Sequence, residues 1–253
     1  MTQAKIIVAG AAGRMGQAIF NAAREDGVTI VGGVERAGHR AVGSAFGDGE
    51  ITDRLEKFAG GGVLVDFTAP SAALAHARAW AGAPMVIGTT GFSESEEAEI
   101  ARIAKAAPVV KSGNFSLGVN LLAALAKKAA AALGPGYDIE IVEAHHRAKA
   151  DAPSGTALML GQAAADGRGV SFAGNMRLDR KGVRDEDAIG MAVIRGGGVI
   201  GDHEVMFAGA SEVVTLSHRA LDRGLFARGA IAAARWVAAR PPGLYAMADV
   251  LGL

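Results

Sequence analysis

The chain is predicted to be an α/β protein, with a Rossmann-like doubly wound parallel sheet joined to a second domain of α+β type. Three observations predict it. Short apolar runs alternate with helical segments over the first 111 residues, the pattern of a parallel sheet covered by helices on both faces. A glycine-rich turn, Gly10-Ala11-Ala12-Gly13-Arg14-Met15-Gly16, follows the first run and opens the first helix. Beyond Lys111 the rhythm changes to one long helix followed by strands with turns between them.

The first domain has short apolar strands at 5–9, 28–34, 63–66, 84–87 and 108–111, with helices at 15–26, 71–81 and 93–107. Ser93 followed by Glu96 is a capping-box pattern that satisfies the first free amides of the last of these helices. The run 117–133 is broken by Lys127 and Lys128 and reads as a buried amphipathic helix, not a membrane span. A strand at 138–144, a helix at 154–165 and a polar stretch at 166–187, expected to be a mobile loop, come next. Strand-like runs at 188–195, 204–207 and 212–217 predict a mixed or antiparallel sheet. An Ala-rich helix at 225–239, stopped by Pro241 and Pro242, returns to the first domain. The domains are therefore 1–113 with 219–253, and 114–218.

Half of the 253 residues are hydrophobic, 36 are glycine and 5% are aromatic, which suits a tightly turned protein with a large core. A formal net charge of zero gives no global attraction to nucleic acid or to an anionic membrane, so the expected partners are small molecules. The absence of cysteine removes thiolate nucleophiles, disulfides and cysteine-based zinc sites. Six histidines form no HExxH pattern, and no metal is expected. The apolar run 6–12 is too short for a secretory signal and runs into the glycine turn, which predicts a cytoplasmic protein.

At Gly10, Ala11, Ala12, Gly13, Arg14 and Met15 the backbone can approach a pyrophosphate, and the helix N-terminus offers amides and positive potential. The spacing is GxxGxxG, which a plain strand-to-helix turn would also explain. Glu35 ends the second strand about 20 residues on, where a dinucleotide fold expects an acid for the ribose hydroxyls. Together with the glycine turn it favours NAD, while Arg36 beside it is either a solvated loop charge or a partner for a 2′-phosphate, so NADH, NADPH or both are the expected cofactors. Gly88-Thr89-Thr90 and Ser112-Gly113-Asn114-Phe115 follow later strands at the edge where open α/β sheets hold ligands, and are expected to face the nicotinamide half.

The strand 138–144 delivers His145 and His146, with Lys149 four residues on. Histidine is the natural general acid near neutral pH, and the lysine suits an anionic substrate. A basic strand end in water is the plain alternative. Pro153-Ser154-Gly155-Thr156-Ala157 reads as a helix start, either an ordinary cap at Ser154 or a carboxylate cradle. Arg195-Gly196-Gly197-Gly198 looks like a phosphate loop, but strand-like residues follow it, so it reads as a turn.

EIVEAHHRAKADAPSGTA, from Glu140 to Ala157, closely resembles the signature of the 4-hydroxy-tetrahydrodipicolinate (dihydrodipicolinate) reductases of bacterial lysine and diaminopimelate synthesis. GAAGRMG, the Glu35-Arg36 pair, DFTAP from Asp66, GTTGF from Gly88, NFSLGVN from Asn114 and RGGGVIGDHEV from Arg195 resemble family segments in the same order. The resemblance implies hydride transfer from NADH or NADPH to ring carbon four of a cyclic dicarboxylate imine. It implies His145 as acid/base group, Lys149 as proton donor, and His146, Gly155 and Thr156 as substrate-binding positions. It also implies a homotetramer assembled through the second domain. Some relatives carry an arginine after DFT where this chain has Ala69, and Arg14 or Arg36 is the expected substitute. A non-catalytic nicotinamide sensor would explain the glycines but not the HHRAK and SGT cluster. A reductase of another small acid would explain both, yet not the remaining ordered segments.

Overall fold

A computed structural model of the chain describes residues 4–80, 82–178 and 181–253. Two compact units emerge, one running to Leu117 and resuming over Gly224–Leu253, the other spanning Gly118–Arg223. These divides fall slightly later than 113 and 218. Phe115 belongs to the first unit's core, and the last strand of the second unit continues to Arg219.

The first unit contains β1 (Lys5–Ala9), α1 (Arg14–Glu25), β2 (Thr29–Val34), β3 (Ala45–Phe46), β4 (Gly49–Thr52), β5 (Val63–Asp66), α2 (Pro70–Ala79), β6 (Met85–Ile87), α3 (Glu94–Ala104) and β7 (Pro108–Lys111). The second contains α4 (Leu117–Leu133), β8 (Asp138–His145), α5 (Gly155–Arg168), α6 (Phe172–Asn175), β9 (Met176–Arg177), β10 (Ile189–Arg195), β11 (Asp202–Ala208) and β12 (Val213–Arg219). The chain then returns to the first unit as α7 (Leu225–Val237), β13 (Gly243–Tyr245) and α8 (Met247–Leu251).

Within the first unit the strand order is β13-β7-β6-β5-β1-β2-β4-β3, parallel except for the β3–β4 hairpin. Its central strands are buried on both faces, which is why they read as continuous apolar runs. On one face Ile19, Ala22 and Ala23 of α1 pack with Ala230, Ile231 and Ala234 of α7 over Ile6, Val8 and Val65. On the other, Leu74 and Ala77 of α2 pack with Ile100 and Ala104 of α3 over Ile7, Leu64 and Ile87. The capping box at Ser93 forms as read from the sequence.

In the second unit the order is β12-β11-β8-β10-β9. Antiparallel pairs join β8, β11 and β12, and parallel pairs join β8, β10 and β9. Alternation along β8 turns Ile139, Ile141, Glu143 and His145 inward, against the face covered by Leu122 and Ala126 of α4 and Leu160 and Ala164 of α5. By length and composition alone α4 could cross a membrane, and it is buried along one side while Leu121 and Leu125 on the other are 44% and 42% exposed.

The stretch 166–187 is not the single loop its polarity suggested. Helix α5 runs on to Arg168, Gly169 ends it in the left-handed region, and Ser171 caps α6. Val170, Phe172 and Met176 pack on the core and hold this stretch in place, while 179–180 lie outside the described residues. The sequence reading also missed β3, β4, β13 and α8, all five residues or shorter and without a clear apolar period.

Candidate functional site

The glycine turn of the first unit fits a pyrophosphate. Gly10 adopts φ +69, and its amide and that of Ala11 both donate to the Val34 carbonyl, tying the turn to the end of β2. Gly13 is the N-cap of α1, so the first-turn amides at Arg14 and Met15 have no side-chain cap and could serve an anion. A Cβ on Gly16 would lie 2.4 Å from the Gly10 carbonyl oxygen, so glycine is what lets the helix start press against the turn. The Glu35 carboxylate accepts from the Ala12 amide at 2.9 Å and the Arg36 amide at 3.3 Å, which sets it beside the turn. Arg14 and Arg36 are exposed.

The other two expected cofactor segments behave differently. Gly88 and Ser112 follow β6 and β7 at the same strand edge, but the Thr89 hydroxyl is taken up by Asp66 and the Thr68 carbonyl. Phe115 is 2% exposed and packs edge-on to Phe67, with ring centroids 5.1 Å apart. Its side chain is core, so what these two positions can offer a ligand is backbone. Ser112 and Asn114 shape their turn through bonds to each other and to the Ser116 amide, while Thr90 and Gly113 are exposed. Ala69, where some relatives carry arginine, is the N-cap of α2, and its methyl group makes no capping bond.

The sequence reading passed over Asp66. It is 2% exposed, accepts from the Thr68 amide and hydroxyl, and pairs with His76 Nδ1 at 2.6 Å.

In the second unit one predicted residue, His145, pairs with a carboxylate that had not been singled out, Glu143. Its Oε2 lies 2.5 Å from His145 Nδ1 and 2.8 Å from an Arg195 nitrogen, and its Oε1 accepts from Arg195 at 2.8 Å and from the Ser154 amide at 3.0 Å. Register explains the assembly: β10 places Arg195 opposite His145, and β11 places His203 opposite Glu143. Burial works against the Glu143 charge, but Arg195, His145 and the Ser154 amide outweigh it and hold the pKa below the usual carboxylate value. A carboxylate in the apolar register of DIEIVEAH was the signal available in the sequence.

Ser154 caps α5 through the Ala157 amide, so the capping reading holds, and its Oγ also lies 3.1 Å from His203 Nε2. Gly155 and Thr156 begin the helix beside it. His145 is buried with its ring edge-on to His203, 5.1 Å away, and among the described residues its Nε2 has no hydrogen-bond partner. His146 is half-buried just past the end of β8, and Lys149 Nζ pairs with Asp151 at 2.9 Å. Arg195-Gly196-Gly197-Gly198 is a turn between strands, as expected. Among the described residues no three His, Asp or Glu side chains gather as a metal site.

Two family models meet this chain, described as the N-terminus of dihydrodipicolinate reductase over residues 4–115 and its C-terminus over 118–251. The chain belongs to the dihydrodipicolinate reductase family. It is 50% identical to a 4-hydroxy-tetrahydrodipicolinate reductase of Beijerinckia indica, over all of this chain and 99% of that one. It is 51% identical to one of Caulobacter vibrioides, over 98% and 97%. A dipicolinate-bound dihydrodipicolinate reductase from Paenisporosarcina sp. TG-14 shares the fold, with TM-score 0.81 and 23% identity over 98% of this chain and 99% of that one. The dihydrodipicolinate reductase models meet within three residues of the divide between the units.

Proposed function

We propose that this chain reduces 4-hydroxy-tetrahydrodipicolinate, by way of its dehydrated cyclic imine, to tetrahydrodipicolinate in diaminopimelate and lysine synthesis. The single observation that carries the reading is the Glu143 cluster, which sets an acid/base histidine beside the N-terminal turn of a fourteen-residue helix within a family of such reductases. Reduced nicotinamide supplies the hydride. His145 gives the proton that the electron-rich ring takes up, with Lys149 as the second donor. The amides of Gly155 and Thr156 and the side chain of His146 hold the substrate carboxylates, where the helix dipole favours negative charge.

Both NADH and NADPH serve, through Glu35 at the ribose and Arg36 at a 2′-phosphate. We assign a homotetramer assembled through the uncovered face of the second sheet, where Ala192, Ile194 and Val213 stay exposed. The setting is the cytoplasm, in keeping with a chain that has no cysteine.

The test generates the substrate from pyruvate and aspartate semialdehyde with the upstream synthase, adds this protein and follows nicotinamide absorbance. Substrate-dependent loss of absorbance is the expected result. No consumption with either cofactor, from folded protein, rejects the reading.

A further inference from the structure

We propose that Glu143 is the positioning residue of His145, holding the imidazole in the tautomer that carries its proton on Nδ1, so that Nε2 is the nitrogen that exchanges a proton with the substrate. The proposal rests on the reading of His145 as the acid/base group. Residues two apart on a strand share a face, so the spacing of Glu143 and His145 on β8 already sets carboxylate and ring side by side. Glu143 is 1% exposed and Nδ1 is 2.5 Å from its Oε2. An ionised carboxylate can only accept, so Nδ1 must be the donor.

Four donors fix that carboxylate. Arg195 grips both oxygens, the Ser154 amide takes Oε1, and His145 takes Oε2. The paired guanidinium keeps the charge on Glu143 despite its burial, and the full set of bonds leaves the group no room to turn. His203 stands edge-on to the imidazole, and Gly201 lies on the Nε2 side without a side chain to cover it. The same carboxylate binds the amide that begins the turn into α5, so it also sets the spacing between the ring and Gly155–Thr156. This is the arrangement by which a buried acid orients a catalytic histidine and selects its tautomer.

Solid-state ¹⁵N NMR of the full chain with labelled histidines, assigned with H145Q, reads the tautomer at alkaline pH. Protonated Nδ1 and bare Nε2 are expected in the parent protein. In E143Q the new amide donates towards the ring, so the proton should move to Nε2 and kcat should fall ~100-fold or more. KM for NADH should stay as it was.

A double-mutant cycle separates positioning from bulk stability: in the H145Q background, E143Q should add almost no further loss of kcat. Additive losses overturn the proposal, as does a parent spectrum with the proton on Nε2. If E143Q does not fold, the parent spectrum decides. If H145Q keeps full kcat, the acid/base reading of His145 fails on its own, and the spectrum still judges what Glu143 does to the ring.

Discussion

Gly201 leaves open the approach to His145 Nε2: a Cβ at position 201 would stand 3.1 Å from that nitrogen and 3.5 Å from Cδ2. The contact would be tight enough to push one group aside. Because Gly201 is not among the positive-φ glycines, alanine suits its backbone and the effect falls on the ring. Gly201→Ala should lower kcat with NADH affinity unchanged, since displacing a reacting group from its aligned position slows the chemical step. Steady-state kinetics with separate NADH titrations check it, and an unaltered kcat would show that Nε2 is not the working nitrogen.

Gly16→Ala should disable the nucleotide turn. The added carbon meets backbone, 2.4 Å from the Gly10 oxygen and 2.8 Å from Ala11 Cα, so no side chain can yield. Overpacking of this kind destabilises by about 1–3 kcal/mol. A lower melting temperature and loss of both NADH and NADPH binding are expected in thermal melts and fluorescence titrations. Retained binding would place the pyrophosphate elsewhere.

Glu35→Ala should change the choice of cofactor. Loss of a charge-assisted acceptor at the ribose costs roughly 1.5–3 kcal/mol, so kcat/KM with NADH should fall at least about tenfold. On the proposed role of Arg36 at the 2′-phosphate, Arg36→Ala should weaken NADPH in preference to NADH. The ratio of the two kcat/KM values in each variant is the measurement. Parallel losses with both cofactors would remove this pair from the specificity argument.

Acid should destabilise the protein through His203. Burial first, and then neighbouring His145, push its pKa down from 6.5 to about 4, so the unfolded chain binds a proton that the folded chain refuses. That contribution to stability is whole above about pH 6.5 and is lost as the pH falls towards 4. His203→Gln removes the titrating group while keeping a polar partner for Ser154. Between about pH 7 and 4.5 it should lose roughly 2–3 kcal/mol less than the parent, read from urea midpoints. Equal losses would assign the acid sensitivity to other groups.

The strands of the first unit were readable because burial on both faces leaves apolar runs that end abruptly at turns. β1, β5 and β7 begin and end where the pattern put them. β13 was not readable, because Gly243–Tyr245 is a strand only through its pairing with β7. At the site, His145 and Ser154 stood out as local motifs. Glu143, Arg195 and His203 come together through register between β8, β10 and β11, which no single stretch encodes. Phe115 sits in a ligand-edge turn while its ring fills the core beside Phe67, a split between backbone and side chain that the local motif does not show.

The return of α7 and β13 to the first unit has a consequence for biosynthesis on the ribosome. Strand β7 gains its outer neighbour β13, and one face of the sheet gains Ala230, Ile231 and Ala234, after Gly118–Arg223 have been translated. A nascent chain halted near residue 223 would therefore carry an apolar sheet face without α7 and an unpaired strand edge, a state prone to aggregation. The inserted unit has all five of its strands by then, so it can fold first and the nucleotide-binding unit closes last.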